Sequence, residues 1–151
     1  MSKIRWTSHR FPPSLDWVSA AVKHGSALHE LAADETLFRH GDAATAIFGV
    51  EEGRLRLLRR TIEGRIVVID TAGRGALLGE AALFTSRYQC DAVAAIRSRV
   101  RSYSKGEVLS AVRNDPELAV RLVALLALQL QTARSRLEQR NIRSARERLL
   151  P

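Results

Sequence analysis

Glycine turns at regular spacing constrain the fold of this chain more than any other feature. Between Leu37 and Tyr103 the sequence consists of short apolar stretches separated by turn residues every 10 to 12 positions. In "GRLRLLRR", Leu55 and Leu57 fall on one face and Arg54 and Arg56 on the other, as a half-buried strand requires. No helical pattern interrupts these stretches, so the sequence predicts a small antiparallel barrel or roll rather than a parallel sheet.

The pattern changes to a helical period after this region. Ser104, with Glu107 three residues later, predicts the capped start of a short helix. Asp115 and Pro116 predict the start of a second helix, with Asp as the cap and Pro at the first helical position. No Gly or Pro follows until Pro151. We therefore expect a helix from Pro116 to about Asn141, on the order of 39 Å long.

This helix carries two apolar stripes, which predict two packing partners. One stripe has the seven-residue spacing of a coiled coil, and the other runs through Leu118, Leu122 and Leu125. One can lie on the roll of the same chain, and the other is most simply buried against the same helix of a second copy. The alternative is that both are ordinary core. The residues that we assign to the homodimer contact are Leu122, Val123, Leu126, Leu130, Ala133 and Leu137.

The length of 151 residues fits one ordinary domain with appended segments. We expect an N-terminal helical segment over residues 1–30, with a helix in "PPSLDWVSAAVKHG" capped by Ser14 and ended by Gly25. The β-roll is expected over 31–114, and the long helix with a hinge over 115–151. The single cysteine cannot form an internal disulfide, and the apolar run at 122–130 is too short for a membrane span. These features predict a cytoplasmic protein without a membrane partner.

Most motifs for catalysis and metal binding are excluded. The net charge of +8 comes mainly from dispersed arginines, which indicates a solvated surface or a weak attraction to nucleic acid. "GRGALLG" does not have the spacing of a dinucleotide fingerprint, and there is no phosphate loop. Only Glu80 and Asp91 form a candidate catalytic carboxylate pair, so we expect no enzyme. The histidines lack the spacing of a metal site and are expected at surface or capping positions: His9, His24, His29 and His40.

The segments "FRHGD", "GVEEGRLRL", "GALLGEAALF" and "DAVA", followed by a long apolar helix, resemble the effector domain of Crp/Fnr-type bacterial transcription regulators. The resemblance covers about residues 31 to 148. It implies a mainly β fold with flanking helices, namely a cyclic-nucleotide-binding-type double-stranded β-helix (jelly roll) followed by a long C-terminal dimerisation helix. Its specificity lies in the glycines, each of which we expect in a tight turn: Gly41, Gly53, Gly64, Gly75 and Gly79.

The resemblance also implies a ligand site. In cyclic-nucleotide-binding members, the glutamate of a Gly-Glu pair accepts a hydrogen bond from the ribose, while nearby amides and an arginine some ten residues later hold the phosphate. Gly79 and Glu80 match this pattern, but Cys90 stands at the arginine position and Asp91 at the next. The ligand is therefore unknown, and high-affinity cyclic AMP binding is not expected, although Arg87 could supply the missing charge. The candidate ligand-binding residues are Gly79, Glu80, Ala81, Arg87, Cys90, Asp91 and Ala92, with Ala133 and Arg134 from the long helix.

Such regulators also carry a C-terminal helix-turn-helix, which we do not find in this sequence. DNA would then be a partner only through a domain that is not present in this chain. We expect an effector-sensing and dimerisation domain of a Crp/Fnr-type regulator. The alternatives are a stand-alone cyclic-nucleotide-binding regulatory protein and, less favoured, a small enzyme that uses Glu80 and Asp91.

Overall fold

The computed structural model describes Val18, Val22 and residues 26–149. In residues 26–149, eight strands precede two α-helices, and a short 3₁₀ helix follows the sixth strand. The strands are β1 (Ser26–Leu31), β2 (Thr36–Phe38), β3 (Ala46–Glu52), β4 (Arg54–Arg60), β5 (Ile66–Gly73), β6 (Leu77–Leu78), β7 (Asp91–Ala94) and β8 (Ser98–Ser104). The helices are the 3₁₀ helix Glu80–Leu83, α1 (Lys105–Asn114) and α2 (Pro116–Leu149).

The strands form two four-stranded sheets, ordered β1-β8-β3-β6 and β2-β7-β4-β5. Every strand pair in them is antiparallel. Sequential strands mostly alternate between the sheets, and this arrangement is a jelly roll. The predicted mainly β fold, with a roll followed by a long helix, is confirmed.

The turn glycines behave as the sequence predicts. All five lie at positive φ, between 74° at Gly79 and 97° at Gly53. Gly53, between β3 and β4, is also tightly enclosed, since a Cβ there would overlap Ser98 Oγ and lie 2.7 Å from the Arg97 carbonyl oxygen. Only glycine fits this turn, because both its backbone angle and its surroundings exclude a side chain.

The core lies between the two sheets. In β4, Leu55 is fully buried and Leu57 is half-buried, while Arg54 and Arg56 are exposed, as the alternation predicts. Phe38 stacks on Tyr88 with ring centroids 4.1 Å apart and on Phe48 at 5.5 Å. This aromatic stack is the part of the core that underlies the candidate site.

The roll begins earlier in the chain than the predicted boundary at residue 31. Strand β1 starts at Ser26 and pairs along its whole length with β8, from Ser26 opposite Tyr103 to Leu31 opposite Ser98. Of the predicted N-terminal helix, the structure describes only two residues. Val18 is helical, and the Val22 amide donates to the Val18 carbonyl oxygen at 2.9 Å. The rest of that prediction lies outside the described residues.

The start of the long helix is confirmed, whereas its predicted end is wrong. The Asp115 carboxylate accepts hydrogen bonds from the amides of Glu117 at 3.1 Å and Leu118 at 3.4 Å, as an N-cap does. Helix α2 then runs unbroken for 34 residues to Leu149, past the expected end near Asn141 and through the expected hinge. The sequence "NIRSARERL" continues the helix because it lacks Gly and Pro and is rich in Arg, Glu, Ala and Leu.

The described residues fall into two compact units, which divide between Ala111 and Val112. In the second unit, Leu118 and Leu122 are buried. By contrast, the side chains of Val123, Leu130 and Leu137 are 64%, 54% and 58% exposed in the single chain. The two predicted stripes thus differ in exposure, and the seven-residue stripe is open to a partner. None of the helices in residues 26–149 is long and apolar enough to cross a membrane.

Candidate ligand-binding site

A left-handed turn at Gly79 positions the candidate glutamate. Gly79 has φ 74° and ψ 17°, and it joins β6 to the 3₁₀ helix that begins with Glu80. A Cβ at Gly79 would lie 3.5 Å from the Tyr88 ring and 3.7 Å from the Ala46 carbonyl oxygen. The positive φ therefore turns the chain sharply here and leaves Glu80 half-buried beside the aromatic stack.

The segment between the 3₁₀ helix and β7 borders a cavity of about 130 Å³. Its floor is apolar, whereas Glu80, Thr85, Arg87 and Gln89 contribute polar groups around it. Of the predicted ligand-binding residues, the cavity brings together Gly79, Glu80, Ala81, Arg87 and Cys90. The other lining residues are Phe38, Leu57, Ala82, Thr85, Tyr88 and Gln89.

Hydrogen bonds hold this segment against the roll. The Tyr88 hydroxyl donates to the Ala46 carbonyl oxygen at 2.7 Å and accepts from the Ala46 amide at 3.2 Å. The Tyr88 backbone bonds to Asp42 and Gly41 at 3.0 and 2.9 Å, and Lys105 Nζ donates to the Thr85 carbonyl oxygen at 2.6 Å. The cavity is therefore largely preformed, which is typical of small-molecule sites.

A family model described as the cyclic nucleotide-binding domain matches residues 28–115 of the chain. This match covers more than half of the 151 residues. The chain belongs to the cyclic nucleotide-binding domain family.

This chain is similar in sequence and in structure to bacterial regulators. The Cyclic AMP receptor protein of Thermus thermophilus is 30% identical over 114 residues, which are 75% of this chain and 53% of that protein. The crystal structure of the Thermus thermophilus Catabolite Activator Protein has a TM-score of 0.70 at 25% identity and covers 93% of this chain and 65% of its own. With its jelly roll and long C-terminal helix, the chain has the architecture of a Crp/Fnr-type N-terminal domain.

The same domain also occurs in a different protein class. Patatin-like phospholipase domain-containing protein 7 of Rattus norvegicus is 29% identical over 114 residues, which are 75% of this chain and 8% of that protein. The chain thus spans about half of the Thermus relative and less than a tenth of the phospholipase.

Asp91 faces away from the cavity of this cyclic nucleotide-binding domain. Its Oδ1 accepts a hydrogen bond from the His40 amide at 2.7 Å, and Asp91 is not among the lining residues. Ala92 is fully buried in the core and also lies outside the lining. Glu80 and Asp91 therefore do not share this cavity, which removes the geometric basis for pairing them as catalytic carboxylates.

The remaining predicted residues have different surroundings. Arg87 lines the cavity, but its Nη1 donates to the Gly41 carbonyl oxygen at 2.7 Å and so engages the neighbouring turn. Ala133 and Arg134 lie on α2, in the other unit, and their assignment to the ligand site stays a prediction.

Of the histidines, His29 bonds to Ser102 at the surface and His40 is exposed, while His9 and His24 lie outside the described residues. No cluster of potential metal ligands occurs in the described part of the chain.

The environment of Cys90 favours the neutral thiol. Burial raises the pKa of Cys90 above its ordinary value of 9.0; the positive charge of Arg59 opposes this rise, and the charges of Asp91 and Glu80 add to it. Arg59 is an addition that the sequence analysis missed. Its Nη2 donates to the Gln89 carbonyl oxygen at 3.1 Å, next to Cys90.

The raised pKa predicts a slowly reacting thiol. The thiolate is the reactive form, and a group with a raised pKa holds its proton to higher pH, so the thiolate fraction at pH 8 should be below that of free cysteine. We expect iodoacetamide to alkylate Cys90 several-fold more slowly in the folded protein than in the same chain unfolded in urea, as followed by mass spectrometry. Faster alkylation in the folded protein would contradict this view of the cavity and indicate an activated thiol.

Proposed function

We propose that this chain is the effector-sensing and dimerisation domain of a Crp/Fnr-type transcription regulator and that it acts in the cytoplasm. The observation that carries this proposal is the preformed cavity, in which Glu80, Arg87 and Cys90 meet above an apolar floor. A small molecule bound there would shift the long-helix dimer between two packings, by binding one of them more tightly. A stand-alone regulatory protein with the same cavity is the second candidate.

The ligand class follows from the groups around the cavity. Glu80 offers a carboxylate to a hydroxyl donor, as the glutamate does in the relatives that the sequence resembles. The position of the phosphate-binding arginine holds Cys90 instead, and a charge-assisted hydrogen bond to phosphate contributes roughly 1.5–3 kcal/mol. Losing that bond alone weakens binding by about 10- to 100-fold. We infer that this cavity binds cyclic AMP about 10- to 100-fold more weakly than a cavity with the arginine in place.

The orientation of Asp91 determines whether its carboxylate repels a bound phosphate. If its carboxylate lay about 4 Å from the phosphate, it would oppose binding by up to roughly 4 kcal/mol at an effective dielectric constant near 20. In the structure that carboxylate instead accepts the His40 amide. The weak affinity should therefore come mainly from the missing arginine, and Asp91 should be left unchanged in a test, because removing it would leave the His40 amide without that acceptor.

Restoring the arginine should tighten cyclic AMP binding. We expect Cys90→Arg to lower the dissociation constant by about 10- to 100-fold, because the guanidinium supplies a bidentate phosphate donor. Glu80→Gln in the same background should reverse part of the gain, since the amide is a poorer acceptor for a ribose hydroxyl. Isothermal titration calorimetry measures both effects.

Cys90→Gln is the matched control, because it adds length and hydrogen bonding without charge. It should leave the affinity close to that of the unaltered protein. A low-micromolar dissociation constant for the unaltered protein would show that other groups already bind the cyclic phosphate without an arginine at position 90. Turnover of a bound small molecule, rather than reversible binding, would favour the enzyme alternative.

A further inference from the structure

The register of two strands brings an arginine toward Cys90. In the β4–β7 pair, Leu57 lies opposite Ala92 and Leu58 opposite Asp91. Cys90 directly precedes β7, so this register, continued by one step, would bring Arg59 of β4 to the level of Cys90. Opposite positions in such a pair have Cβ atoms about 4.5–5.5 Å apart, so we expect the two side chains to be neighbours.

Strand alternation puts Arg59 on the inner side of β4. Leu55 is fully buried, and Leu57 lines the cavity. Arg59 follows Leu57 by two residues, so its side chain lies on the same, inward-facing side of the strand. It is at the end of β4, where the strand leaves the core. On the facing segment, Ala92 of β7 is buried and Cys90, just before β7, lines the cavity.

Arg59 is not one of the residues that line the cavity, but its guanidinium bonds to one that is. Its Nη2 donates to the carbonyl oxygen of Gln89, a lining residue, at 3.1 Å. Arg59 is exposed, so its guanidinium can turn toward a ligand without first giving up a buried partner. A guanidinium also has five donors, so one bond to a carbonyl leaves others for an anion.

We propose that Arg59 supplies the positive charge that binds the anionic group of the ligand, from the strand opposite the position that now holds Cys90. This inference rests on the proposed function of the cavity. The small Cys90 side chain leaves room for the guanidinium. The ligand class is a small molecule that carries a phosphate or carboxylate and, close to it, a hydroxyl that donates to Glu80.

The displaced arginine also explains how the cavity can bind an anion and still bind cyclic AMP weakly. A guanidinium from β4 approaches the ligand from the opposite wall, so its donors meet an anion at a different point and angle. A cavity of about 130 Å³ is below the range of roughly 300–1,000 Å³ typical of sites for larger ligands. The phosphate or carboxylate end of the ligand should therefore be the part that is enclosed.

Amide chemical shifts test this proposal, because they report weak binding at a known place. The ¹⁵N-labelled protein is titrated separately with cyclic AMP, inorganic phosphate and acetate, and the amides of Gly79, Glu80 and Cys90 are followed. Arg59→Gln should weaken binding of the phosphate-bearing probes by about tenfold or more, because it removes a charged bidentate donor. Gln keeps a side-chain donor for the Gln89 carbonyl oxygen, so the fold should be retained.

Arg60→Gln is the matched control. It removes the same charge from the next residue of β4, whose exposed side chain lies on the other face of the strand. Adding Cys90→Arg to Arg59→Gln should restore cyclic AMP binding, which a purely structural role of Arg59 would not allow. If Arg59→Gln binds as tightly as the unaltered protein, Arg59 is not the anion contact. If no probe shifts these amides in the unaltered protein, the ligand-binding function and this inference both fail.

Discussion

Replacing Leu130 and Leu137 by Glu together is expected to convert the dimer proposed above to a monomer. Both side chains are more than half exposed in the single chain, and they lie seven residues apart on α2. Full burial of a leucine contributes about 1.5–3 kcal/mol, and a two-fold contact buries each of them twice. The double substitution should therefore raise the dimer dissociation constant by at least about a thousandfold. Light scattering coupled to size-exclusion chromatography measures the change in mass.

The control for this experiment adds the same charge on a different side of the helix. Gln131→Glu with Ser135→Glu should leave the mass of a dimer unchanged, because these exposed positions lie outside the seven-residue stripe. Leu122 is buried in the single chain, so we do not expect it to contribute directly to the contact, although it was among the residues assigned there. If the leucine variant remains a dimer of unaltered stability, the contact is formed by another surface.

Gly53→Ala should cause a large loss of stability. The backbone at Gly53 has φ 97°, and the new Cβ would overlap Ser98 Oγ and approach the Arg97 carbonyl oxygen and Ser98 Cα to 2.7 Å. Positive φ costs an alanine about 1–2 kcal/mol, and overpacking adds about 1–3 kcal/mol. We expect the free energy of unfolding to fall by about 2–5 kcal/mol, as measured by urea denaturation.

Gly64→Ala separates these two contributions. Gly64 has φ 81°, but nothing lies within 4 Å of a Cβ added there. This variant should therefore lose only about 1–2 kcal/mol, the cost of the backbone angle. Equal losses in the two variants would show that Ser98 and Arg97 shift without cost and that the enclosure of Gly53 does not matter.

Local chemistry made much of the roll predictable. The turn glycines could be assigned because a positive φ is a property of one residue, and all five have it. The alternation of Leu55 and Leu57 with arginines predicted a half-buried strand for the same reason. Asp115 as a helix cap was likewise visible, since a cap bonds to amides two and three residues away. The Gly79–Glu80 turn could be located in this way too.

Contacts between distant residues were not predictable from the pattern. Asp91 bonds to the amide of His40, which is 51 positions away in the chain, so its sequence neighbours gave no indication that it turns from the cavity. Arg59 is brought to Cys90 only by the pairing of β4 with β7. Its sole signal in the sequence is its place two residues after Leu57, in the same alternation as Leu55 and Leu57. The assignment of charges around the cavity therefore needed the structure.

The unbroken length of α2 has a mechanical consequence. At 1.5 Å per residue, its 34 residues make a rod of about 51 Å. A rod of that length that tilts by one degree about Pro116 moves its other end, at Leu149, by about 0.9 Å. A rearrangement too small to alter side-chain packing at the base would thus become a displacement of several ångströms at the tip. A hinge near Asn141 would have absorbed part of that motion, whereas a continuous helix transmits all of it.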